Sequence, residues 1–150
     1  MELTPTTYCD VFDAFERHKV PYVVVSGMAV LLHGYVRPVF DLDIVISSTP
    51  DEQNRALHAL ALSGFIGTLN LPLNMLTVLR MFDQNEREID VFVKYHIPFD
   101  KLWSDAVEIQ IGESTARVAS FEHLLRAKQI TGRPHDLLDV EGLLGIREAK

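Results

Sequence analysis

Apolar residues along the first half of the chain alternate between two periods, one helical and one extended. Residues 6–19 place Val11, Phe12 and Phe15 at helical spacing. Pro21 then precedes Tyr22-Val23-Val24-Val25, a β-branched run that predicts a buried strand. Ser26-Gly27 turns the chain into a second helix over 28–33, ended by Gly34, and Arg37-Pro38 forms a short extended link. A second strand is predicted over 41–46. Pro50, with Asp51 and Glu52 behind it, starts a helix that runs to about residue 63 and stops at Gly64.

The second half opens with strands over 76–82 and 88–94. The turn 83–86 between them makes an antiparallel hairpin. A second hairpin is expected from 107–111 and 115–118 around Gly112-Glu113. Ser120 caps a helix carrying residues 122–128, Gly132-Arg133-Pro134 breaks it, and a last helix covers 134–144. The order predicts one α/β (α+β) domain over residues 1–150. It is a mixed sheet flanked by helices, with a short helical C-terminal end.

Composition narrows the function. The chain has 150 residues, 47% of them hydrophobic, which suits a single domain with a true core. One cysteine, Cys9, allows no intrachain disulfide, and the first residues lack the basic and apolar regions of a signal peptide. No apolar run is long enough to span a membrane, so the expectation is a cytoplasmic protein without membrane contact. The net charge of −7 argues against a protein that coats nucleic acid nonspecifically. It leaves a nucleotide substrate open, because a carboxylate-built site lets metal supply the positive field.

Three acids stand where such a site needs them. Asp41 and Asp43 lie two apart on a predicted strand, which sends both side chains to one face. Asp90 interrupts the apolar strand Ile89-Asp90-Val91-Phe92-Val93, where burying an acid is costly without a partner. A shared Mg2+ or Mn2+ would be that partner, since hard oxygen ligands suit these ions. The bland alternative is a set of acids at strand ends on a solvated face. Upstream, Gly27 permits close backbone approach to a ligand, Ser26 adds a hydroxyl, and the following helix start favours phosphate.

Ser26-Gly27-Met28-Ala29, then His33-Gly34, Arg37 and Asp41-Leu42-Asp43, resembles the signature of minimal nucleotidyltransferases, and most nearly the AbiEii-like branch. Many members of that branch are toxins of bacterial toxin–antitoxin pairs. Asp90 matches the family's third acid. Lys128, Gly132, Arg133, Asp136 and Asp139 match its C-terminal arrangement, so the resemblance spans about residues 22–143. Ser26 departs from the usual Gly, and Val39 from a frequent Thr.

The resemblance implies a polymerase-β-like nucleotidyltransferase fold and transfer of a nucleotide from a triphosphate. Asp41, Asp43 and Asp90 would hold Mg2+ or Mn2+ and act catalytically. Ser26, Gly27, Arg37 and Lys128 would contact the nucleotide, with Lys128 on the leaving pyrophosphate. The partners implied are a nucleoside triphosphate such as ATP, an acceptor that could be tRNA, a protein hydroxyl or a small molecule, and an antitoxin protein. The alternative is a non-catalytic nucleotide- or partner-binding module that keeps the fold.

Other polar and aromatic residues carry bland expectations. His135, Asp136 and Asp139 read as an exposed helix face held by local pairs, and Lys128 as either a site residue or a solvated lysine. His33 is expected to pack or cap, Cys9 to be buried, and Tyr95, Phe99 and Trp103 to fill the core.

Overall fold

In a computed structural model, which describes residues 2–67 and 76–149, helix α1 (Cys9–Arg17) leads into strand β1 (Tyr22–Val25) and helix α2 (Ser26–Leu32). Next come β2 (Leu42–Ile46), α3 (Pro50–Leu62), the two-residue β3 (Ile66–Gly67), and the hairpin β4 (Val78–Phe82) and β5 (Glu88–Phe92). Helix α4 (Phe99–Asp105), the hairpin β6 (Val107–Ile111) and β7 (Ser114–Val118), and helices α5 (Phe121–Thr131) and α6 (Pro134–Ala149) complete the chain.

The strands form one sheet in the order β3-β4-β5-β2-β1-β7-β6. Strand β1 runs antiparallel to β2 and parallel to β7, and β2 runs parallel to β5, so the sheet is mixed as the sequence predicts. Every residue of β1 is buried, in keeping with its continuous Tyr-Val-Val-Val run at the sheet centre. Helix α1 brings Phe12 and Phe15, both fully buried, onto the Tyr22 ring at 6.0 and 4.7 Å. Each such side chain contributes about 1.5–3 kcal/mol through burial. Among the described residues no helix is long and apolar enough to cross a membrane.

Several boundaries differ from the pattern, each for a local reason. Helix α1 starts at Cys9 rather than residue 6 because Thr4 and Thr7 form a hydroxyl-bonded turn, with Thr4 N–H donating to Thr7 Oγ1 at 3.0 Å. Strand β5 ends at Phe92 because the Val93 and Lys94 amides both turn to Thr77 O, at 3.0 and 3.3 Å. Helix α4 went unpredicted: within its seven residues only Leu102 is fully buried, too little for a period. Strand β3, two exposed residues, left no pattern at all. Helix α6 runs past residue 144 to Ala149. Gly142 sits inside it because a side chain there would run into the Tyr35 ring.

Candidate functional site

The register of β2 on β5 places Asp43 directly beside Asp90. Asp41 lies one residue ahead of β2 and two ahead of Asp43, which brings it to the same side. One carboxylate oxygen from each of the three acids falls within 4.8 Å of the others. At that separation two ionised carboxylates repel by at least about 3 kcal/mol at an effective dielectric near 20. Burial, aggravated by the charges of Asp41 and Asp90, pushes the Asp43 carboxyl up to about 8, while the nearby Ser26 hydroxyl acts in the opposite direction. Burial likewise raises Asp41.

These acids fit a divalent cation. Asp43 Oδ1 is buried and has no hydrogen-bond partner, which is costly unless a cation takes it. Three hard oxygen donors at this spacing suit Mg2+ or Mn2+ rather than a softer metal. Asp90 has a protein partner as well. From the opposite register position on β4, Arg80 donates through Nε to Oδ1 at 2.9 Å and through Nη2 to Oδ2 at 3.2 Å.

The first residue of α2 is where the chain departs from the glycine of the pattern it resembles. Ser26 adopts φ +60°, the left-handed region that glycine occupies without cost. A serine there accepts strain and places its hydroxyl beside Asp43 and Tyr95. Gly27 serves a different need: a Cβ on it would lie 3.2 Å from Arg37 Nη1, so its smallness lets the guanidinium pass.

A cavity of about 570 Å³ opens from Asp43 and Ser26 towards α5. Its size suits a small-molecule or nucleotide ligand. Lys128 lines it, as do Thr77, Phe92, Lys94, Tyr95, His96 and Arg133. Lys128 is no solvated lysine: it is buried, with Nζ 3.3 Å from Asp136 Oδ1 and 3.0 Å from Asp139 Oδ2. The exposed helix face expected at Asp136 and Asp139 is corrected too, since both are buried. Asp136 also accepts from Arg133 Nε at 2.8 Å and Thr131 Oγ1 at 2.7 Å. Burial works against its charge, yet Arg133, Thr131 and Lys128 together hold its carboxyl far below the usual value. Asp139 accepts from Arg37 Nη1 at 2.8 Å.

Three cations thus meet two acids, leaving one net positive charge behind the cavity. Arg37, expected at the nucleotide, points to Asp139 and does not line the cavity. Among the described residues Lys94 makes no ion pair and is exposed at the cavity wall. Sequence reasoning missed it, although it follows Asp90 by four positions in an alternating strand pattern. Arg80, opposite Asp90 on a strand whose residues alternate exposed and buried, was also missed.

The remaining residues divide. His33 packs as expected, its Nε2 2.8 Å from Ala119 O and its ring edge-on to Phe121. Cys9 is half-buried in α1. Phe99 and Trp103 stack on each other and pack against the core, as expected. Tyr95 packs against Phe92 and His96 but also lines the cavity. Burial and the nearby Asp43 charge raise its phenol to about 12, so it stays protonated.

By sequence, no family model and no curated protein matches the chain. By structure it is similar to the lincosamide antibiotic adenylyltransferase LnuA, with lincomycin bound, at 17% identity and TM-score 0.69 over 97% of this chain and 99% of that one. It is similar to an antigenic nucleotidyltransferase-like protein from Paracoccidioides brasiliensis at 16% identity and TM-score 0.64, over 95% and 75% of the two chains. ANT(2")-Ia in complex with adenylyl-2"-tobramycin matches at 12% identity and TM-score 0.63, over 93% and 86%. The chain therefore has the nucleotidyltransferase fold.

Proposed function

We propose that this protein is a metal-dependent nucleotidyltransferase that moves a nucleoside monophosphate from a triphosphate to an acceptor hydroxyl. The observation that carries the reading is the buried, unpartnered Oδ1 of Asp43 at the mouth of a cation-lined cavity. Asp41, Asp43 and Asp90 would hold Mg2+ or Mn2+. When bound, such an ion would supply charge neutralisation between the acids and the phosphates.

The chain's own residues do the rest. Lys94 and the Lys128–Arg133 end of the ion cluster draw the β- and γ-phosphates into the cavity. Ser26 contributes its hydroxyl to the same end. Tyr95 and Phe92 give the nucleoside an aromatic wall. The Asp90 carboxylate, once Arg80 has given up one of its oxygens, orients the acceptor hydroxyl and takes its proton. The acceptor oxygen then bonds to the α-phosphorus, the bond from that phosphorus to the bridging oxygen breaks, and pyrophosphate leaves with the bonding pair.

The acceptor we favour is the hydroxyl of a small neutral or cationic molecule. A net charge of −7, with an acid cluster at the reacting end, disfavours approach of a polyanion. Of the proteins with the same fold, LnuA is a lincosamide antibiotic adenylyltransferase and ANT(2")-Ia is seen in complex with adenylyl-2"-tobramycin. A tRNA acceptor, a toxin role and an antitoxin partner rest on the motif resemblance alone. A triphosphate donor favours a cytoplasmic reaction.

The test is pyrophosphate release from each of the four nucleoside triphosphates with Mg2+. It is run with aminoglycoside and lincosamide acceptors in one arm and tRNA in the other. The expected result is release that needs a small hydroxyl acceptor and vanishes in Asp43→Asn. Release that persists in Asp43→Asn would remove the site from the reaction, and tRNA-dependent release would redirect the acceptor.

A further inference from the structure

The three acids differ in what holds them. Asp43 keeps a buried oxygen without a partner, whereas Asp90, equally placed to bind metal, has a guanidinium across both its oxygens. The fork is in register, since Arg80 and Asp90 are paired residues on β4 and β5. Arg80 Nε also lies 3.1 Å from Glu88, two residues before Asp90 on β5 and on the same face. The Arg80 side chain is 55% exposed while that of Asp90 is 9% exposed. The guanidinium therefore reaches a buried acid from the solvent side, with a second carboxylate beside it.

We propose that Arg80 sets the metal affinity of the site by competing with the divalent ion for the Asp90 carboxylate. This rests on the metal-site reading above and adds a residue to it. Two physical effects act in one direction. A guanidinium is a permanent cation whose planar fork matches a carboxylate, so it occupies the lone pairs a metal would use. Its charge also opposes a second cation at the triad. Glu88 supplies a nearby acceptor, so Arg80 can release Asp90 without losing all of its pairing. A site tuned this way binds metal weakly alone and firmly only when triphosphate brings further oxygens. A purely structural role predicts the reverse, because removing a strut that orients a ligand loosens metal binding.

The measurement is Mn2+ binding to the purified protein without nucleotide, followed by calorimetry, for wild type, Arg80→Gln and Arg80→Lys. Asp43→Asn serves as the site control, and melting is recorded in chelator. The expected result is an Arg80→Gln dissociation constant lower by about tenfold. Arg80→Lys, which keeps the charge but loses the fork, falls between wild type and Arg80→Gln. In chelator Arg80→Gln melts lower than wild type, and saturating Mn2+ gives it the larger upward shift. Unchanged or weaker Mn2+ binding in folded Arg80→Gln overturns the competition and leaves Arg80 as a strut. If Arg80→Gln does not fold, Arg80→Lys binding Mn2+ no more tightly than wild type overturns it, since loss of the fork alone should free Asp90 for the ion. No Mn2+ binding by wild type, or binding retained in Asp43→Asn, sinks the metal-site reading itself.

Discussion

Ser26 carries two demands that pull apart. Its backbone sits at φ +60°, where glycine is at ease, and its hydroxyl lies beside Asp43. Ser26→Gly should raise stability by ~0.5–1 kcal/mol in denaturant unfolding while weakening triphosphate binding. A destabilised Ser26→Gly would mean the hydroxyl contributes more to the fold than the strain costs. Lys94 makes the complementary case on the ligand side. Lys94→Gln should weaken binding of a triphosphate by about tenfold, yet that of the matching monophosphate by no more than about twofold, because an ammonium acts on the terminal phosphates as a point charge. Equal losses for both ligands would place Lys94 elsewhere. At this scale the sequence was informative where spacing alone sets geometry. Asp41 and Asp43 share a face because strands alternate, and Asp90 stood out as an acid in an apolar run. It was silent on Arg80, whose partner is fixed by cross-strand register, a property of two segments at once.

Helices α5 and α6 act as one unit through buried charge. Lys128 and Arg133 converge on Asp136, and Arg37 reaches Asp139 from the link before β2. Removing one partner leaves the others buried and unbalanced, so Asp136→Asn should cost roughly 2–4 kcal/mol. Because its folded-state carboxyl lies well below the unfolded value, Asp136 stabilises the fold above about pH 4. That contribution is lost as pH falls from there towards the folded value. Acid unfolding of Asp136→Asn should accordingly be shallower than that of wild type over this range. A parallel pair of acid-unfolding curves would show that Asp136 is not a titrating stabiliser. Local pairing on an exposed helix was the natural reading of Arg133 to Asp139, and it failed for a physical reason. A charge can be buried only when long-range partners meet it, and Lys128 and Arg37 lie five or more residues away in sequence. Helix α6 shows the same limit. Gly142 lies inside the predicted helix with nothing local to require it; it admits the Tyr35 ring, so Gly142→Ala should destabilise by about 1–3 kcal/mol.

The whole molecule is a mixed sheet whose centre, β1, β2 and β5, presents acids at one end beside a cation-lined cavity. The strand order could not be read from the chain, since β7 returns to lie parallel to β1 after a long excursion. Mixed architecture and most of the elements could, because Val-rich runs and glycine stops mark them locally. Three parts of the molecule meet here: an acid triad too repulsive to stay fully ionised alone, a strained turn beside it, and a paired cation cluster around the two C-terminal helices. Each is intelligible if a metal–triphosphate complex lies between them. Thermal melting with each of the four nucleoside triphosphates, with and without Mg2+, for wild type and Asp43→Asn, tests this most directly. A ligand bound only by the native state adds about 2.7 kcal/mol at a hundredfold excess over its dissociation constant. The expected result is a Mg2+-dependent rise with at least one triphosphate that is absent in Asp43→Asn. No rise with any triphosphate, or an equal rise in the mutant, would contradict it.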